Sequence, residues 1–281
     1  MKATKPRSLW AGLLIGGVLL YAAVLLFAPM ISIVQGAFSR GAEAAINSLN
    51  DPELIHAFGV TILLAVVSTT VNTVVGIAIA WVLVRHQFPG KAVLNALVDL
   101  PAVASPVIIG FVVIVIFGRG GWLAGFPFQI AFAIPGMLLV TLFVTLPYVV
   151  REVMPVLASL TTEQEEAAAT LGAGRFYTFR RVIFPGIWHG VLYGAVLTLS
   201  RAVGDFGGVL AAGGGIQGAT ETATIYISRA LHDRNRIGAY TVALLLGVFA
   251  IAVLVVINRL RAVPTETVVS ASEPENPEWE T

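Results

Sequence analysis

The chain has no cysteine among its 281 residues, which excludes disulfides, thiolate metal sites and cysteine nucleophiles and leaves the fold to stand on packing alone. Charge is scarce too: Asp, Glu, Lys and Arg together make up 12% of the residues, against about 25% in soluble domains. The 17 Lys and Arg are scattered and the formal net charge is only +1. No basic stripe of the kind that tracks a phosphate backbone is present, so nucleic acid is not an expected partner. A phosphate-binding loop of the form G-x-x-x-x-G-K-[ST] is also missing. The Gly-Lys pair at Gly90 and Lys91 is followed by Ala92, and nothing here can cradle the phosphates of a nucleotide.

What the chain has in excess is apolar surface, 57% of its residues, with a mean hydropathy of +0.87. Its solvent is therefore lipid. With no water to satisfy the backbone, each crossing must be a helix of about 20 residues or a strand of a closed barrel, and long charge-poor runs select helices. Such runs fall at 9–34, 58–84, 92–117 with one Asp, 129–150, 186–212 with two charges, and 237–258. The expected fold is an all-α membrane protein with six transmembrane helices. The first run follows Lys2, Lys5 and Arg7 as a signal peptide would, but it is too long and lacks a small-residue cleavage site, so it is read as a retained helix. Residues 1–57 then form one helix and an outer loop, and residues 58–261 a core of five more helices.

Positive charge near span ends stays in the cytoplasm. With the N-terminus inside, eleven Lys and Arg fall on cytoplasmic segments and five outside, which places both termini in the cytoplasm. The tail at 262–281 carries Glu266, Glu273, Glu275, Glu278 and Glu280 with three prolines and no basic residue. Such a composition cannot bury enough surface to offset chain entropy, and disorder is expected.

The longest cytoplasmic connection runs over 151–185 and is too polar for membrane yet rich in Ala, Leu and Glu. Thr161 or Thr162 can cap a helix there, with Glu165 or Glu166 in its opening turn, where carboxylates favour the helix dipole. Gly172 and Gly174 supply a stop, and a second helix is expected to run to Pro185. Ala167, Ala168 and Ala169 keep the first helix slim enough for close approach to a partner surface.

Ionisable groups within spans are costly and mark pathways or paired sites. Arg201 and Asp205 are four residues apart on one helical face and can pair. Alternatively, Arg201 offers positive potential to a passing oxyanion while Asp205 is held aside. Asp99 precedes Pro101 and Pro106, which must kink or break the third span. A broken helix at membrane depth is tolerated where it is buried in protein or lines a cavity. A structural role is expected for Asp99, and Ser105 is a candidate to line the cavity. His189 reads as an interfacial, hydrogen-bonded histidine.

Glu166, Ala167 and Ala168, three residues, Gly172, nine residues, then Val182, Ile183, Phe184 and Pro185 resemble the EAA signature of binding-protein-dependent ABC importer permeases. Val182 and Phe184 depart from the usual Ile and Leu but stay apolar. Residues 81–123, 143–152 and 200–207 are similar to the sulfate/thiosulfate permeases of the sulfate/molybdate branch, near the CysW type of membrane subunit. There the usual Gly-Glu-Phe is Gly204, Asp205 and Phe206 here, a carboxylate on a shorter stem. The resemblance implies a type I ABC importer permease fold in a bacterial inner membrane, with the EAA segment docked on an ATPase. It further implies two ATPase copies holding ATP and Mg, with no cofactor in this chain. A second permease subunit, homologous or identical, would complete the pathway, and a periplasmic or lipid-anchored sulfate-binding protein would deliver the anion. Molybdate or tungstate is the alternative cargo. A secondary carrier would need broken helices in matching halves, and the sequence offers only the one proline-broken span.

Overall fold

The computed structural model describes residues 9–125, 127–160 and 163–261. The capping threonines Thr161 and Thr162, the basic Lys2, Lys5 and Arg7, and the acidic tail lie outside the described residues. Among the described residues the regular structure is helical throughout, with no strand.

Helix α1 (Leu9–Ala37) is an apolar rod whose membrane-length window has 0% of its residues buried. It touches the rest of the chain chiefly through α12, introduced below, with Gly36 set against the ring of Tyr240. A short α2 (Ala42–Ser48) leads to α3 (Pro52–Arg85). That helix starts where it does because Asp51 Oδ1 accepts from the Glu53 amide at 3.0 Å and Pro52 fills the first turn, where its missing N–H costs nothing.

Next come α4 (Lys91–Val103) and α5 (Pro106–Phe117), which pass as one span only as a pair bent by 109°. The bend sits at Ser105, the residue before Pro106, held extended at φ −63° and ψ 130°, as steric clash with the proline ring demands. Helix α6 (Ile134–Ser159) follows, then the short α7 (Glu163–Thr170). Helix α8 (Arg175–Thr178), a π-helical turn (Phe179–Ile183) and α9 (Phe184–Val203) run on as one rod. After it stand α10 (Gly207–Gly213), α11 (Ala223–His232) and α12 (Arg236–Arg261).

The core lies where α3, α6 and α9 meet, around Ala80, Leu83, Val149, Val153, Leu157 and Ile187. Asn72 Nδ2 donates from α3 to Thr145 Oγ1 and to the Leu142 carbonyl of α6, both at 2.8 Å. Such bonds between membrane helices contribute about 0.6–2 kcal/mol each.

Among the described residues, five helices are long and apolar enough to cross a membrane, and the bent α4–α5 pair brings the number to six, as the apolar runs imply. Several boundaries differ from the sequence reading, three of them notably. The fourth span continues past Val150 to Ser159, because a helix packed on protein need not stop where its charges begin. The fifth run, expected as one helix over 186–212, breaks at Gly204, Asp205 and Phe206. The helix expected to end at Pro185 also does not end there. The π turn carries it through: the Phe184 amide donates to the Phe179 carbonyl, five residues back, and Pro185 enters the next turn without ending the rod.

Candidate functional site

The two helix breaks stand together. Gly110 of α5 lies so near α10 that a Cβ there would come within 2.6 Å of the Gly208 carbonyl, and a Cβ on Gly208 within 3.1 Å of the Pro106 carbonyl. Only glycine allows two backbones to approach this closely. The residues just after exposed Ser105, Pro106 and Val107, are thereby set against those just after Asp205 and Phe206, Gly207 and Gly208, joining two segments that the sequence places a hundred residues apart. Helix α10 is strapped at both ends: Thr224 Oγ1 donates to the Asp205 carbonyl at 2.9 Å and Thr220 Oγ1 to the Gly213 carbonyl at 2.6 Å. The Phe132 amide donates to the Ala212 carbonyl at 2.8 Å, from a residue held at φ 58°.

Arg201 Nη1 donates to Asp205 Oδ1 at 3.3 Å, with the side chains 29% and 3% exposed. The carboxylate lies beside the first turn of α10, where the open backbone amides of a helix favour negative charge. Phe206 is 39% exposed.

Asp99 faces elsewhere. Arg151 Nε donates to Asp99 Oδ1 at 2.7 Å and Nη2 bonds Asp99 Oδ2, so a two-pronged pair clamps α4 to α6. Arg151 looks like an orienting charge in the sequence, and its role as a clamp shows only in the fold.

At the other end of the rod, α7 buries no side chain, and its first turn carries Glu163, Glu165 and Glu166. Glu166 and Ala167 are exposed, while Ala168 is half-buried. Glu165 is paired with Arg85 at 2.6 Å. Gly172 closes the turn in the left-handed region at φ +82°, with Gly172 and Ala173 amides donating to Ala169 and Ala168 carbonyls. Pro185 stands apart from α7, in the first turn of α9. Around the turn, Leu171, Phe176 and Tyr177 are 89%, 76% and 59% exposed. Sequence reasoning passed over these three, although apolar residues beside so polar a helix are themselves a signal of a covered surface.

A third cluster, unforeseen, joins the start of α3 to α11. Glu221 is fully buried and receives two bonds from Arg229, Nε to Oε1 at 2.7 Å and Nη2 to Oε2 at 3.2 Å, while Arg229 Nη2 also reaches Glu53 at 2.8 Å. The hydrogen bond that Arg229 donates to Glu221 leads in raising the arginine pKa further above its ordinary value. Tyr226 Oη donates to Asp51 Oδ2 at 2.8 Å. Burial, and then that hydrogen bond, push the phenol well above the usual tyrosine range. A raised phenol favours the fold below about pH 10, the ordinary value, and this contribution declines as pH rises from there toward the folded value. Tyr226→Phe is expected to lower stability by about 1.5 kcal/mol at neutral pH, since the lost bond goes to a charged acceptor. Melting of the detergent-solubilised chain checks this, and the deficit should shrink in alkaline buffer.

Residues 72–263 match the family of binding-protein-dependent transport system inner membrane components. The chain is 43% identical over 245 residues to the sulfate transport system permease protein CysW of Escherichia coli (strain K12), covering 86% of this chain and 84% of that one. To CysW of Synechococcus elongatus it is 41% identical over 262 residues, covering 92% of each chain. Among solved structures it is similar to a chain of a bacterial ABC transporter involved in the import of the acidic polysaccharide alginate. That likeness has a TM-score of 0.71 at 18% identity and covers 91% of this chain and 94% of the other, and it is one of fold alone.

Proposed function

Since this chain belongs to the family of binding-protein-dependent transport system inner membrane components, we propose that it is the permease subunit of an ATP-driven importer of sulfate or thiosulfate. The observation that carries the cargo is the 43% identity with a sulfate permease over most of both chains. The chain is a permease and not an enzyme. ATP with its Mg is held and hydrolysed by two copies of a separate ATPase, and a binding protein delivers the anion outside. The membrane is the bacterial inner membrane, with both termini on the ATPase side.

A second permease subunit, homologous or identical, faces the paired breaks. Ser105 and Phe206 are exposed and Arg201 partly so, as half of a pathway requires. A guanidinium has five donors, and among the described residues Arg201 spends one on a single 3.3 Å bond, leaving others for a tetrahedral oxyanion.

The mechanism follows from the rod. Its 29 residues at 1.5 Å each span about 43 Å, more than the ~30 Å hydrocarbon core. One unbroken element thus joins the turn at Gly172 to the break at Gly204. Glu166, Ala167, Ala168 and the apolar residues around the turn rest on the ATPase. Its closure displaces α7 and the rod together, and the displacement arrives where Arg201, Asp205 and Phe206 stand. The pathway opens outward, the anion enters, and hydrolysis resets it inward.

The test is uptake of labelled sulfate, with molybdate as competitor, in cells deleted for the chain and then resupplied with it. Uptake should vanish on deletion, return with the native chain and resist low molybdate. Unchanged sulfate uptake with a fall in molybdate or tungstate uptake would keep the permease and overturn the cargo.

A further inference from the structure

Among the described residues the coupling segment has one polar anchor on the helical core, and it comes from the far end of α3. Among the described residues, the pair of Arg85 and Glu165 is the only side-chain hydrogen bond or ion pair between α7 and any membrane-spanning helix. Arg85 is the last residue of α3. Its Nη2 donates to Glu165 Oε1 at 2.6 Å and to the Leu160 carbonyl at 3.1 Å, so one guanidinium holds both the end of α6 and the first turn of α7. Its carbon lies 6.0 Å from the centre of the Trp81 ring. The edge of Phe179, in the π turn of the rod, meets the same Trp81 ring at 6.0 Å.

Arg85 and Glu165 are 14% and 24% exposed, so water screens the pair less than a surface bridge. The end of α3 behind it is fixed, with Ala80 and Leu83 buried against α6 and α9. Helix α7, by contrast, buries nothing. A cavity of about 500 Å³ lies beside the pair, bordered by Trp81, Glu165, Ala169, Ala173 and Phe179, and gives α7 room to shift relative to the rod.

We propose that Arg85 and Glu165 form a strut through which movement of the coupling helix is passed to α3 as well as to the rod, making Arg85 a positioning residue for coupling. The proposal rests on the reading of α7 as the ATPase contact. With the strut intact, α3 and α9 are driven together and the core they share with α6 moves as one body. Without it, α7 can tilt into the cavity while the ATPase cycles, and ATP is hydrolysed without transport.

The test uses the assembled transporter in proteoliposomes and reads anions imported per ATP hydrolysed. Because the chain has no cysteine of its own, Leu171→Cys gives a single site for a thiol-directed photo-crosslinker aimed at the ATPase. Arg85→Gln and Glu165→Gln should each lower the ratio about fivefold or more, the low end of coupling between sites, while the crosslink persists. Exchange of the charges, Arg85→Glu with Glu165→Arg, should restore most of it. An unchanged ratio in Arg85→Gln overturns the strut, as does a loss the exchanged pair does not recover. A crosslink that weakens in step with the ratio also overturns it, because the pair then serves docking. No crosslink from the chain with native Arg85 and Glu165 overturns the coupling reading itself, and the strut with it.

Discussion

Replacement of Arg201 by Met is expected to abolish anion uptake and to reduce the amount of permease in the membrane. Two effects combine. Asp205 is 3% exposed and Arg201 is its one charged partner among the described residues, so the substitution strands a buried carboxylate, a change that costs about 3–5 kcal/mol. The substitution also removes the cation proposed to meet the oxyanion at the paired breaks. Adding Asp205→Leu separates the two, because replacing a buried pair with apolar side chains is often neutral for stability. The double variant should return to near-native abundance, read by immunoblot of membranes, while uptake stays at least about tenfold down, the equivalent of 1.4 kcal/mol. Recovery of uptake along with abundance would show that Arg201 serves Asp205 and not the anion. Asp205→Asn keeps the shape and loses the charge, and it should fall between native and the single Arg201 variant.

What the sequence made legible follows from what each feature depends on. The spans are legible because lipid leaves a backbone no partner except its own helix, so a run of apolar residues is enough. The break of the third span is written in Pro106, since a missing N–H and a ring clash act within a few residues, whereas Pro101 is carried inside α4. The turn at Gly172 is legible for the same local reason. The second break was hidden: Val209, Leu210, Ala211 and Ala212 continue the apolar run beyond Asp205, and no proline marks it. What ends the rod there is the close contact of α10 with α5 through Gly110 and Gly208, a tertiary cause that hydropathy does not register. The pair of Arg201 and Asp205, four residues apart, was legible, but the ion pairs between distant segments were hidden too. Arg85 and Glu165 are 80 residues apart, and Arg151 and Asp99 are 52 apart. A charge at the end of a span reads as an orienting charge until the fold supplies its partner. Glu221 and Arg229 are near in sequence but sit on a loop and a helix, and no helical periodicity joins them.

Bulk at Gly172 is the variation expected to separate transport from folding most cleanly. Its φ of +82° lies where a side chain is strained, yet an added Cβ would meet nothing within 4 Å among the described residues. The intrachain cost of any substitution is therefore the left-handed backbone alone, about 1–2 kcal/mol, and nearly the same for Ala and Leu. Abundance of the two variants should match and lie modestly below native. Uptake should not match. If α7 and its turn rest on the ATPase, the isobutyl group introduced by Gly172→Leu protrudes into that contact beside exposed Leu171 and Ala167, and two packed surfaces cannot absorb it without a shift. Uptake by Gly172→Leu should fall at least about tenfold below Gly172→Ala, or about 1.4 kcal/mol in coupling, and recovery of the ATPase in pull-downs should fall with it. Equal uptake by the Ala and Leu variants would mean that no partner surface covers the turn. The contrast works because the described residues leave the space around Gly172 empty, so a dependence on side-chain size points to whatever docks there.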